Sequence, residues 1–119
     1  IDLGGAFVEG LLIVQNFARD DQSPRYRDFA EAYLKRFQRP PGYSTVSAHD
    51  AATVVLDALK QRKRGETLKD AALRAGPYQG LQQEIVFDAN GDTRCRVYFR
   101  VIRRGSYAEL DQVEKIAAR

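Results

Sequence analysis

Cysteine is nearly absent from this sequence: Cys95 stands alone among 119 residues. A lone thiol cannot close an internal disulfide, and it matches no zinc-ligand spacing, so a disulfide scaffold and a zinc module are both excluded. Long apolar runs are missing as well. The longest aliphatic stretch is Leu11-Leu12-Ile13-Val14, far short of the roughly 18 residues that a bilayer-spanning helix needs. The first residues, Ile1-Asp2-Leu3-Gly4-Gly5, show neither an initiating methionine nor the basic and apolar regions of a signal peptide. That start points to a piece of something longer or processed and leaves every compartment open.

Catalytic signatures are lacking too. His49 is the single histidine, flanked by Asp50 with Ser47 nearby. Successive residues of a helix point about 100° apart, so these three cannot form a nucleophilic relay among themselves, and no G-x-S-x-G elbow is present. A packed or helix-capping role for His49 is expected. Asp88, Asn90 and Asp92 resemble a calcium loop only superficially, because Gly91 falls earlier than the loop's glycine must and Phe99 stands where a bidentate glutamate is required. A hairpin turn is the better account of them. No phosphate loop, paired-carboxylate site or nucleotide signature remains, so the chain is read as a non-enzyme without metal or cofactor.

What is present is an ordinary globular composition, 44% hydrophobic and 29% charged. A chain of this length is expected to bury one core and form one compact unit. The formal charge of +3 raises the question of an anionic partner. The densest basic run, Lys60, Arg62, Lys63 and Arg64, falls where a helix should end, a position the helix dipole favours. No aromatic stacking platform accompanies it, so nucleic acid is not an expected partner.

Residues 10–16 read as a strand whose unbroken apolar centre predicts burial on both faces, as in a parallel sheet. Gly4-Gly5 before it reads as loop. Ser23-Pro24 opens a helix over 24–38, with Tyr26, Phe29, Ala30, Tyr33, Leu34 and Phe37 forming a core stripe. Arg39-Pro40-Pro41-Gly42 stops it. A second helix is expected from Ser44 or Thr45 to Arg64, well buried through its alanine-rich middle. Thr67 and Asp70 resemble a capping box that opens a short, more exposed helix over Leu68–Ala75, closed by Gly76-Pro77. The period then changes: 82–88 and 94–103 read as two strands of a hairpin turned at Asn90-Gly91. In the second of them Cys95, Val97, Phe99 and Val101 form the buried face. Residues 111–119 suit a frayed terminal helix.

Tyr43 and Ser44 are the candidate ligand contacts. They sit where a Pro-Pro-Gly loop meets the start of a buried helix, and the amides of a helix N-terminus suit a carboxylate or another acceptor on a small ligand. A capping serine with a tyrosine packed beside it is the plainer alternative.

Several stretches, taken in order, carry a resemblance. Val8-Glu9-Gly10-Leu11-Leu12-Ile13-Val14, Ser23-Pro24-Arg25-Tyr26, Pro41-Gly42-Tyr43-Ser44, Ala48-His49-Asp50-Ala51-Ala52, Tyr78-Gln79-Gly80-Leu81 and Phe87-Asp88-Ala89-Asn90-Gly91-Asp92 together resemble the leucine/isoleucine/valine-binding protein family. The resemblance implies an α/β chain, part of a type I periplasmic-binding fold: a three-layer lobe fragment with a C-terminal β-hairpin. Residues 1–119 then form a single fragment from the C-terminal part of a two-lobed receptor. It implies capture of an amino acid or amide outside the cytoplasm, at a periplasmic or extracellular membrane-associated location, with delivery to an ABC permease. Two positions depart from the family pattern, His49 for the more common tyrosine and Ser44 for a second aromatic. A sensing domain of a signalling receptor and a stand-alone interaction domain are the alternative functions. Truncation also suggests a homodimer of the fragment through uncovered strand edges.

Overall fold

The computed structural model describes residues 4–109. They divide into two compact units, one formed by Ile1–Ala18 with Val97–Arg119 and the other by Arg19–Arg96. The single unit expected from chain length is thus two. The cause is strand pairing: the first strand takes its partner from the far end of the chain, and the middle packs around its own helices. The terminal helix expected over 111–119 lies outside the described residues.

In the terminal unit a 3-10 turn, Gly5–Val8, replaces the expected loop and leads into β1, Leu12–Gln15. β1 runs antiparallel to β4, Tyr98–Arg103, with Leu12 opposite Val101 and Gln15 opposite Tyr98. β4 in turn pairs antiparallel with β5, Ser106–Glu109. Arg104 and Gly105 connect them with φ of 51° and 69°, the two successive positive angles that a tight hairpin turn demands. Phe17, Ala18, Val101 and Ile102 are buried here, together with Arg100.

Two expectations change at this sheet. The apolar run of β1 predicts a parallel strand covered on both faces, yet its pairing is antiparallel and Val14 remains 61% exposed. Among the described residues β1 is an edge strand beside β4, with Leu12 and Val14 exposed on one face and Ile13 and Gln15 partly covered on the other. The face expected to be buried in 94–103 holds only in part: Val101 is buried as expected, but Phe99 is 41% exposed, Cys95 lies exposed outside the strand, and Arg100 and Ile102 of the other face are buried as well. Phe99 and Val101 share one face of the strand, so burial here changes along β4 and does not follow its alternation. The C-terminal hairpin exists, but as β4 with β5 and not as 82–88 with 94–103.

The central unit contains α1, Pro24–Phe37, α2, Tyr43–Gln61, and α3, Leu68–Ala75. β2, Tyr78–Gln79, and β3, Glu84–Ile85, form a two-residue antiparallel ladder after them. Proline at the first turn starts α1 as expected, but Ser23 makes no side-chain cap, and its buried hydroxyl has no protein partner. Thr67 does cap α3: its Oγ1 accepts from the Asp70 amide at 3.1 Å and donates to Asp70 Oδ2 at 2.7 Å. The aromatic stripe of α1 is core only in part, with Tyr26 buried and Leu34 and Phe37 about half exposed. α2 is less buried than its alanines suggest; Val46, Val54 and Ala58 are inside, whereas Val55, Leu56 and Leu59 are exposed.

The connection from α2 to α3 is fixed by a carboxylate. Arg74 donates from Nε and Nη2 to both oxygens of Glu66 at 2.7 and 2.9 Å and also reaches the Gln61 carbonyl at 2.9 Å. The Lys63 amide donates to Glu66 Oε2 at 2.8 Å. These donors, Arg74 foremost, hold the Glu66 carboxyl far below its usual range, at about 2.

Candidate functional site

The junction of α1 and α2 is set by a change of backbone conformation. Gln38 closes α1 in the left-handed region at φ 56°, donating its amide to the Leu34 carbonyl, and the two prolines that follow cannot continue a helix. Pro41 is buried and Gly42 is extended, so its carbonyl accepts the Thr45 and Val46 amides at 3.1 and 3.2 Å. α2 therefore begins at Tyr43, slightly earlier than the sequence pattern suggests. Tyr43 and Ser44 become the first two residues of the helix, both exposed. Ser44 belongs to the first turn, whose amides no carbonyl of the helix itself can reach.

A depression of about 290 Å³ opens at this junction, lined by Tyr33, Arg39, Pro40, Gly42, Tyr43, Ser44 and Thr45. Thr45 Oγ1 donates to the Tyr33 hydroxyl at 3.4 Å. That bond, with Arg39 beside it, lowers the Tyr33 hydroxyl from its ordinary phenolic range. The depression thus brings together two phenols, a guanidinium, a serine hydroxyl and the positive end of a nineteen-residue helix. Such a set of donors suits a small ligand presenting a carboxylate or an amide carbonyl. Sequence reasoning places Tyr43 and Ser44 here. It does not find Arg39, read only as part of a helix stop, or Tyr33, read as core; the approach of the end of α1 to the start of α2 supplies both.

His49 and Asp50 lie elsewhere and serve the fold. The His49 ring packs edge-on against Phe29 at 5.0 Å, and its Nδ1 lies 3.3 Å from Asp50 Oδ1. Ser47 does not join them. Asp50 Oδ1 instead accepts the Leu81 amide at 2.8 Å, while Arg25 Nη1 donates to the Gln79 and Gly80 carbonyls at 2.7 and 3.2 Å. The hydroxyl of buried Tyr78 donates to the Ala72 carbonyl at 2.7 Å. All three helices therefore grip the Tyr78-Gln79-Gly80-Leu81 segment. Gly80 is required by this grip, since a Cβ there would meet the Gln83 carbonyl at 2.5 Å and Asp50 Oδ2 at 2.7 Å.

Asp88 is spent on its turn in a similar way. Its Oδ1 accepts the amides of Asn90 and Asp92 at 2.8 and 3.0 Å, and Gly91 holds φ at 90°. Among the described residues no three His, Cys, Asp or Glu side chains gather as metal ligands. No described helix is long and apolar enough to cross a membrane.

Comparison with known proteins gives the geometry its context. A leucine-binding protein from Thermotoga maritima superimposes with a TM-score of 0.73 at 26% identity over 92% of this chain. An ABC transporter substrate-binding protein from Desulfitobacterium hafniense, solved in complex with Leu, does so with 0.70 at 25% identity over 87%. A solute-binding protein from R. palustris in complex with benzoate shares the fold at 18% identity, with a TM-score of 0.71 over 92% of the chain. This chain spans about a third of the length of each: 32%, 32% and 31%. No curated protein matches by sequence. The periplasmic binding protein family model matches residues 1–106, a span that takes in the Tyr43–Ser44 junction and the gripped 78–81 segment, and by that match the chain belongs to the periplasmic binding protein family.

Proposed function

We propose that the chain is the C-terminal part of a two-lobed solute receptor of the branched-chain amino-acid or amide type, which passes its ligand to an ABC permease. The family binds and does not catalyse, and membership supports work outside the cytoplasm, in the periplasm or at the outer face of a membrane. The observation that carries the ligand class is the position of Tyr43 and Ser44 in the first turn of α2, on one wall with Arg39 and Tyr33. A carboxylate or amide oxygen there meets O–H and N–H donors and a favourable dipole, while the tyrosine rings cover the apolar part of the ligand.

In this reading Tyr43 and Ser44 are ligand contacts, and the rest of the receptor supplies the second wall. Leucine bound to the Desulfitobacterium hafniense relative supports an aliphatic amino acid as the first ligand to try. Self-association through the exposed residues Leu11, Leu12 and Val14 accompanies the reading for the isolated chain. A strictly monomeric mass by light scattering at high concentration contradicts that part.

Transport is tested by uptake. Cells lacking the native gene product should lose uptake of radiolabelled leucine, or of another branched-chain amino acid or amide, and regain it when the gene is restored. Unchanged uptake across that set, with a ligand-dependent signalling response in its place, favours the sensing receptor.

A further inference from the structure

The turn between α2 and α3 concentrates positive charge in a way that the solute site does not use. Residues 60–69 hold five cations, Lys60, Arg62, Lys63, Arg64 and Lys69, against one carboxylate, Glu66. That carboxylate is bonded to Arg74 and the Lys63 amide, and the turn keeps an excess of positive charge. Lys60 pairs with Asp57 at 2.9 Å, and Arg62 Nε donates to the Glu66 carbonyl at 2.6 Å. Among the described residues the side chains of Lys63 and Arg64 have no carboxylate within ion-pair distance.

The turn is also held in one shape. Besides the Glu66 bonds, the Glu66 amide donates to the Lys63 carbonyl at 3.1 Å, and Gly65 takes φ of 80°. Leu59 and Leu68 flank the cations and are 46% and 37% exposed. Arg62, Lys63 and Arg64 line neither the depression beside Tyr43 nor the one of about 270 Å³ beside Leu73 and Phe87. A helix end carrying cations on a turn held in one shape, with exposed leucines beside them, fits a broad anionic surface that adapts to it.

We propose that this turn docks on an anionic lipid surface, with Lys63 and Arg64 among the phosphate groups and Leu59 and Leu68 at the level of the headgroups. Each basic residue near such a surface adds electrostatic attraction, screened by salt, and exposed leucines add apolar burial. The contact is independent of which solute the receptor takes.

The test is co-sedimentation of the chain with phosphatidylglycerol vesicles and with phosphatidylcholine vesicles. Binding is expected to phosphatidylglycerol alone and to weaken severalfold between 50 and 200 mM salt, roughly the screening that Debye lengths of this order predict. Lys63→Glu with Arg64→Glu should weaken it about tenfold or more. Arg94→Glu with Arg96→Glu, the same change of net charge at exposed positions elsewhere in the central unit, should leave it within about twofold. Circular dichroism of both double variants checks their fold. Equal losses in the two variants overturn the proposal in favour of net charge alone. Absence of vesicle binding at low salt overturns it regardless of the variants, and capture of an acidic peptide without vesicle binding assigns the turn to a protein partner instead.

Discussion

Gly80 is the residue where the chain has least room. Its missing Cβ leaves space for the Gln83 carbonyl and for Asp50 Oδ2, and neither can withdraw without breaking a bond: Gln83 accepts the Gly80 amide, and Asp50 holds the Leu81 amide. Gly80→Ala should therefore cost on the order of 1–3 kcal/mol in urea unfolding, as overpacking against fixed polar atoms does. Glu66 makes a second prediction at this scale. Its carboxyl is held at about 2, mainly by Arg74, so its contribution is complete above the ordinary carboxylate pKa near 4.5 and is lost as pH falls towards 2. Native protein should lose stability progressively over that window. Glu66→Gln should lose less over the same pH range, starting from a lower stability at neutral pH; parallel thermal melts from pH 7 to pH 2 compare the two.

At the scale of elements, the helices differ in how their starts are built. Thr67 caps α3 through its hydroxyl, whereas the Ser23 hydroxyl is buried without a protein partner at the start of α1. Thr67→Ala should cost about 1 kcal/mol, while Ser23→Ala, which removes an unsatisfied buried oxygen, should cost clearly less or stabilise. Chemical denaturation of the two variants side by side measures the contrast. The same division explains what was legible in the sequence. α3 is found to the residue, because its Thr67–Asp70 opening and Gly76-Pro77 ending are local signals. α1 is found within one residue for the same reason. The strands are not, because pairing is non-local: nothing within Leu11-Leu12-Ile13-Val14 specifies an antiparallel partner near residue 100. The hairpin signal at Asn90-Gly91 is a real turn, yet only the isolated bridge between Phe87 and Thr93 forms across it. The chain passes from the central to the terminal unit just beyond, and β4 is claimed by β1 and β5. The candidate site divides in the same way. Tyr43 and Ser44 are visible from a loop meeting a helix start, but Arg39 and Tyr33 join them only through the packing of one helix end on the next helix start.

At the scale of the whole molecule, much apolar surface is open. Leu11, Leu12 and Val14 in the terminal unit, and Val55 and Leu56 in the central one, are each more than 40% exposed. Surface of that kind normally lies against other protein, in keeping with a chain that spans about a third of its solved relatives. A ligand enclosed between two walls draws its affinity from both, so the wall beside Tyr43 should bind an amino acid weakly or not at all by itself. The most direct measurement is isothermal titration of leucine, isoleucine, valine and their amides into the intact native product that contains this chain, and into the same product with Tyr43→Ala. The account predicts micromolar or tighter binding of at least one of these ligands, weakened roughly tenfold or more by the substitution. No binding of any of them, or binding that Tyr43→Ala leaves unchanged, would contradict it.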